Sequence, residues 1–138
     1  MPSLSEIVNF CNRRIAVDEI KDFQGAHNGL QIENNGSVTK IGAAVDAGLV
    51  PFEKATDENI DFVIVHHGLF WTPPTPLTGA NYQKIKNCIE KNLAVYGAHL
   101  PLDCHREIGN NAIIASQLNL PQCGTFLNYE GNDIGLVT

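Results

Sequence analysis

Apolar positions along this chain follow two different periods. Near the N-terminus Leu4, Ile7, Val8, Cys11 and Ile15 recur at three- and four-residue spacing, which predicts a helix over about residues 4–14. Ser3 and Glu6 in Ser-Leu-Ser-Glu form a capping box at its start. Leu30 and Ile32 suggest a short strand, and Asn35-Gly36 carries the strongest hairpin signal in the chain. Ile41–Val45 reads as the next strand. Helical character returns from Val50 to about Glu58, where Pro51 suits a first turn. Phe62–Val65 is a continuous apolar run of strand length, Tyr82–Asn92 is helical, and Ala94–Ala98 is again a strand. Asn110–Leu118 predicts a last helix. The tail predicts one or two strands with a turn at Glu130-Gly131-Asn132.

The middle of the chain therefore alternates strand and helix, which predicts an α/β fold with a mostly parallel sheet and helices on both faces. Its apolar runs are short and do not alternate, as expected of strands covered on both sides. In such sheets ligands bind beyond the carboxyl ends of the strands. Three successive strands end there in polar groups: the first at Asp46, the second at His66-His67, the third at His99 with Asp103 four residues on. The topology places all five on one rim.

Adjacent residues within a regular strand point to opposite faces. His66 and His67 can share a site only where the strand ends, and Gly68 is expected to permit a turn there. Pro101 marks another strand exit in His-Leu-Pro-Leu-Asp. Imidazole suits zinc, iron, copper and nickel, and carboxylate suits harder ions such as manganese. The mixed set predicts a divalent transition metal held by His66, His67, His99 and Asp103: zinc, manganese or iron, as one ion or as two with a bridge. Hydroxide on the metal would be the nucleophile of a metal-dependent hydrolase. Asp46 is the candidate catalytic base. His27 and His105 are expected to face solvent or to bond behind the site, and Phe70 and Trp71 to line a pocket or the core. The alternative is a non-catalytic metal-binding or scaffold protein.

Composition narrows this further. The 138 residues suffice for one domain with a core. Net charge is −6 with 9 scattered Lys and Arg, which argues against nucleic acid as the main partner. No apolar stretch reaches the ~20 residues of a membrane span. The start lacks a signal-peptide pattern, so a cytoplasmic location is expected. Cys11, Cys88, Cys104 and Cys123 form no CxxC pair. Cys11 and Cys88 fall on apolar helix stripes, and Cys104 between Asp103 and His105 is read as a neighbour of the site rather than a ligand.

Four stretches carry a family resemblance: HNGLQIE, KIGAAVDAGLVPFEKA, VIVHHGLFW and YGAHLPLDCHREIGNNAIIA. Together they resemble the dinuclear-metal-centre family, often labelled GTP cyclohydrolase type-two homologues and related to a yeast transcription-factor-interacting protein. The resemblance implies that His66, His67, His99 and Asp103 ligate a pair of metal ions. It also implies assembly into a hexameric homo-oligomer and hydrolysis of GTP or a related small molecule. His-Leu-Pro-Leu-Asp departs from the family pattern, which usually has Thr and Asn between its His and Asp. Family members are almost twice as long, and their second half supplies a His-x-x-x-Glu pair that this chain does not contain. The expectation is one α/β metal-binding domain over residues 1–138, with about 125–138 resembling the start of a second half, and weak metal binding.

Overall fold

The computed structural model describes all 138 residues. The chain runs α1 (Leu4–Arg14), β1 (Gly29–Ile32), β2 (Ile41–Asp46), α2 (Leu49–Asp57), β3 (Phe62–His67), α3 (Gly79–Glu90) and β4 (Ala94–Gly97). It continues through α4 (Leu100–Asp103), α5 (Asn110–Gln117), β5 (Gly124–Tyr129) and β6 (Asn132–Val137). Strands β1 to β4 form one sheet in the order β1-β4-β3-β2, and β5 and β6 pair separately. Strands β2, β3 and β4 are parallel, while β1 joins β4 antiparallel, so the sheet is mixed and mostly parallel.

Burial explains this order. Strand β4 is buried throughout, and Phe62, Val63 and Val65 of β3 are 0–2% exposed. These are the central strands, covered on both faces. On one face Phe52 and Ala55 of α2 and Cys88 of α3 pack against Val63, Val65 and Val95. On the other, Leu4 of α1 packs with Phe62, Ala94 and Tyr96, joined by Ile7, Val8 and Cys11 at partly buried positions. The sulfur of Cys88 sits in this core, and burial pushes its thiol up to about 12. The helices thus cover both faces of the sheet.

The expected capping box is present. Ser3 Oγ accepts from the Glu6 amide at 3.2 Å, and the Ser3 amide donates to Glu6 Oε2 at 2.8 Å. A cap of this kind is worth about 1 kcal/mol. The tail forms a hairpin, with Tyr129 paired to Asn132 across Glu130-Gly131. Helix α3 starts at Gly79, three residues before the periodic stripe begins. No helix is long and apolar enough to cross a membrane.

The Asn35-Gly36 hairpin is not formed. Gly36 does take a positive φ of 97°, but the strands on either side of it lie at opposite edges of the sheet. Long-range bonds outcompete the local turn preference here. Asn34 Nδ2 donates to the carbonyls of Ser37 and Asp61, the Asn35 amide donates to Asn92 Oδ1, and the Leu4 amide donates to the Gly36 carbonyl. The segment is thereby tied to the entries of β3 and β4 and crosses beneath the sheet.

Candidate metal centre

The parallel register brings the carboxyl ends of β2, β3 and β4 to one rim. Asp46 stands opposite His67 in neighbouring strands, and Val65 stands opposite Gly97, two residues before His99. Beyond β4, Leu100 and Pro101 open α4, a single helical turn. Proline is tolerated there because a first-turn amide needs no partner within the helix. That turn presents Asp103 back toward β3.

The imidazoles of His66, His67 and His99 converge. Their ring centroids lie 4.8 Å (His66–His67), 4.9 Å (His66–His99) and 5.7 Å (His67–His99) apart. One nitrogen from each lies within 4.8 Å of the others, a spacing that small side-chain rotations bring to a shared ion. Asp103 Oδ2 is 3.5 Å from His66 Nε2, and its Oδ1 accepts from Asn110 Nδ2 at 2.8 Å. All four expected ligand residues thus meet at one place.

Each Nδ1 is already engaged. That of His66 bonds the Ala98 carbonyl at 2.9 Å, that of His67 bonds Asp46 Oδ1 at 2.7 Å, and that of His99 bonds the Asp22 carboxylate at 2.9 and 3.0 Å. Carbonyls and carboxylates only accept, so every Nδ1 must carry the proton. The neutral ring then has its lone pair on Nε2, in the tautomer that a metal needs. At His66 that lone pair faces the carboxylate of Asp103, another acceptor. Two acceptors 3.5 Å apart repel unless a cation or a proton lies between them. The donor set therefore fits a divalent cation.

Asp46 lies behind His67 and orients it. Asp22, absent from the expected set, does the same for His99 and is more deeply placed, with only 5% of its side chain exposed. It also accepts from Asn28 Nδ2 at 2.7 Å, the Phe23 amide at 2.6 Å and the Leu100 amide at 3.1 Å. Burial pushes its carboxyl up, but the bonds from Asn28, His99, Phe23 and Leu100 together outweigh this and hold it below the ordinary range. Asn28 Oδ1 in turn accepts from the His99 amide at 2.7 Å. Asn28 lies in the HNGLQIE stretch. A lone aspartate in a loop 77 residues from its imidazole has no signal in the sequence.

Gly68 does not serve as a left-handed turn, since its φ is not positive. It is needed for space. A Cβ there would lie 2.2 Å from Gln31 Nε2, and one on Gly97 would lie 2.4 Å from the same atom. Gln31 fills the gap between the strand ends, accepting from the Leu69 amide at 2.6 Å and donating to the His27 carbonyl at 2.5 Å. The His27 ring meets Phe70 edge-on. His105 lies behind the rim, with Nε2 2.6 Å from Arg14 Nη1. Trp71 closes one side of the site, perpendicular to His99 at 5.1 Å, its Nε1 donating to the Gly68 carbonyl at 2.9 Å. For Cys104, burial and then the negative charge of Asp103 push the thiol up, which disfavours a thiolate.

The family model described as Duf34/NIF3 (NGG1p interacting factor 3) matches residues 2–138. The chain belongs to the Duf34/NIF3 family. A relative from Archaeoglobus fulgidus, named GTP cyclohydrolase 1 type 2 homolog, is 38% identical over 133 residues, covering 96% of this chain and 54% of the relative. A protein of the same name from Deinococcus radiodurans is 41% identical over 109 residues, covering 79% of this chain and 41% of that one. The chain thus spans about half the length of the curated relatives it matches. Among solved structures, TTHA1606 from Thermus thermophilus superposes with a TM-score of 0.84 at 35% identity, over 97% of this chain and 53% of that one. Reduced HcgD from Methanocaldococcus jannaschii gives 0.78 at 30% identity, over 94% and 51%. This Duf34/NIF3 chain therefore shares its α/β architecture with about half of each of these structures.

Proposed function

We propose that this chain is a metal-dependent hydrolase domain in which His66, His67 and His99, through Nε2, and Asp103 hold a divalent cation, with GTP or a related small molecule as the substrate. The observation that carries the reading is the convergence of three imidazoles beside Asp103, with each Nδ1 bonded to a carbonyl or carboxylate behind it. The names of the relatives supply the GTP suggestion. A divalent ion bound there supplies Lewis acidity and brings the ionisation of water near neutral pH.

The protein's own residues do the rest. Asp22 and Asp46 keep His99 and His67 in the ligating tautomer and stop the rings from turning. The Ala98 carbonyl does so for His66. Asp46 is expected to act by position rather than as a base, because one of its oxygens is committed to His67. Asn110 holds Asp103 from behind. Trp71 covers one side of the rim, against His67 and His99.

The test has two readouts on purified protein. Zinc, manganese and iron(II) affinities are measured by competition with a chromophoric chelator, and GTP turnover is followed with each metal. Binding that His66→Ala and His99→Ala abolish, together with turnover that they also abolish, supports the reading. Metal binding without turnover of GTP would favour the non-catalytic metal-binding alternative. No metal binding would refute both.

A further inference from the structure

Beside His67 lies a cavity of about 490 Å³, within the range of small-molecule sites. Its wall includes Asp46, His67, Trp71 and Lys84, together with Gly48 and Ala80 at the starts of α2 and α3. The informative group is Lys84. Its ammonium is partly buried and donates to the Ala47 carbonyl at 3.1 Å, which leaves two of its three N–H donors free. Lys21 lies 3.6 Å from Glu130, Lys40 3.6 Å from Glu58 and Lys86 3.8 Å from Glu90, while Lys54 and Lys91, which have no such partner, are exposed to water. Lys84 pairs with no carboxylate. Asp46, on the same wall, is bonded to His67. A half-buried ammonium with two free donors and no carboxylate partner is placed to bond an anionic group entering the cavity.

We infer that this cavity is an oxyanion subsite, in which Lys84 binds a phosphate or carboxylate group of a small molecule whose reacting part lies at the histidine cluster. The inference rests on that cluster being the reaction centre, but the anion contact itself does not require the metal. Geometry connects the two. His67 belongs both to the cluster and to the cavity wall, so a ligand anchored at Lys84 reaches the cluster without leaving the cavity. Trp71 stands between them, in contact with His67 and His99 and lining the cavity. A brace role for Lys84 would need only its bond to Ala47. That role predicts that a neutral donor of similar length would serve equally well.

Trp71 is the single tryptophan of the chain, so its fluorescence reports on this cavity and the adjoining histidine cluster, and the Lys84 variants separate the two. Metal-free protein is titrated with inorganic phosphate, with acetate and with glycerol as the neutral control. Saturable change with phosphate, with acetate or with both, and none with glycerol, is expected, and the stronger of the two anions identifies the group. Lys84→Gln keeps a donor for Ala47 and removes the charge. It should weaken anion binding by about tenfold or more, the loss expected for one charge-assisted hydrogen bond, while Lys84→Arg retains binding. No saturation with either anion on the wild-type protein would overturn the inference without any variant. Equal binding by a folded Lys84→Gln protein would also overturn it. The two readings fail separately: intact anion binding with no metal affinity refutes the metal centre, and intact metal affinity with no anion binding refutes the subsite.

Discussion

Replacing Asp22 should separate positioning from folding at the candidate centre. Its carboxylate receives bonds from His99 Nδ1, Asn28 Nδ2 and the Phe23 and Leu100 amides, all between 2.6 and 3.1 Å. Asp22→Ala leaves these four donors unpaired around a side chain only 5% exposed. Hydrogen bonds to a charged group contribute about 1.5–3 kcal/mol each, but they are not additive and water will enter the space, so a total loss of about 3 kcal/mol is expected. Asp22→Asn is the sharper test. It keeps the shape and one acceptor oxygen, and a stability loss of about 1–2 kcal/mol is expected. If its amide NH2 turns toward His99, Nδ1 must become the acceptor and the proton moves to Nε2, the ligating atom. Metal affinity should then fall by about 10- to 100-fold, as for other residues that hold a ligating histidine. Chelator competition measures the affinity and urea titration the stability, with Asp57→Asn on the exposed side of α2 as the control. Metal affinity of Asp22→Asn within twofold of wild type would show that Asp22 does not set the state of His99. Nε2 of His99 would then be free to ligate whichever group holds Nδ1.

Four further outcomes are expected. Gly97→Ala places a Cβ 2.4 Å from Gln31 Nε2 and 3.0 Å from the His27 carbonyl, so it should lower stability by about 1–3 kcal/mol in urea titrations. For Asp61, burial pushes the carboxyl up, but bonds from the Thr39 hydroxyl and the Lys40 and Thr39 amides outweigh it and lower the value. The stabilisation is therefore complete above the ordinary aspartate range near ~4 and is lost as pH falls through the lowered native value. Asp61→Asn should cost about 1–2 kcal/mol at pH 7, with the gap from wild type narrowing on acidification; a gap that widens refutes this. At pH 8 a thiol reagent should modify exposed Cys123 quickly and buried Cys88 only as the protein unfolds, read by mass spectrometry. The β5–β6 hairpin exposes Phe126 and Leu127, at 55% and 62%, so self-association at micromolar concentration is expected, and a clean monomer in sedimentation would contradict it.

Local pattern carried much of this protein. The capping box at Ser3, the periods of α1, α2 and α3 and the apolar runs of β3 and β4 depend on residues a few positions apart, so they are legible in one dimension. The rim was legible too, because parallel strands joined by helices must all end on the same side. That brought the strand ends carrying Asp46, His66-His67 and His99 to one side, with Asp103 one short helix beyond. What the sequence could not decide were choices between distant partners. Asn35-Gly36 has the chemistry of a hairpin, yet β1 pairs with β4 and β2 with β3, because burying both faces of the central strands outweighs one turn preference. Gly68 looked like a turn residue and proved to be room for the Gln31 amide. Asp22 gained its task only when folding carried its loop beside His99. A hydrogen bond spanning 77 residues leaves no period, spacing or composition behind, so only the tertiary structure could show which carboxylate holds which imidazole.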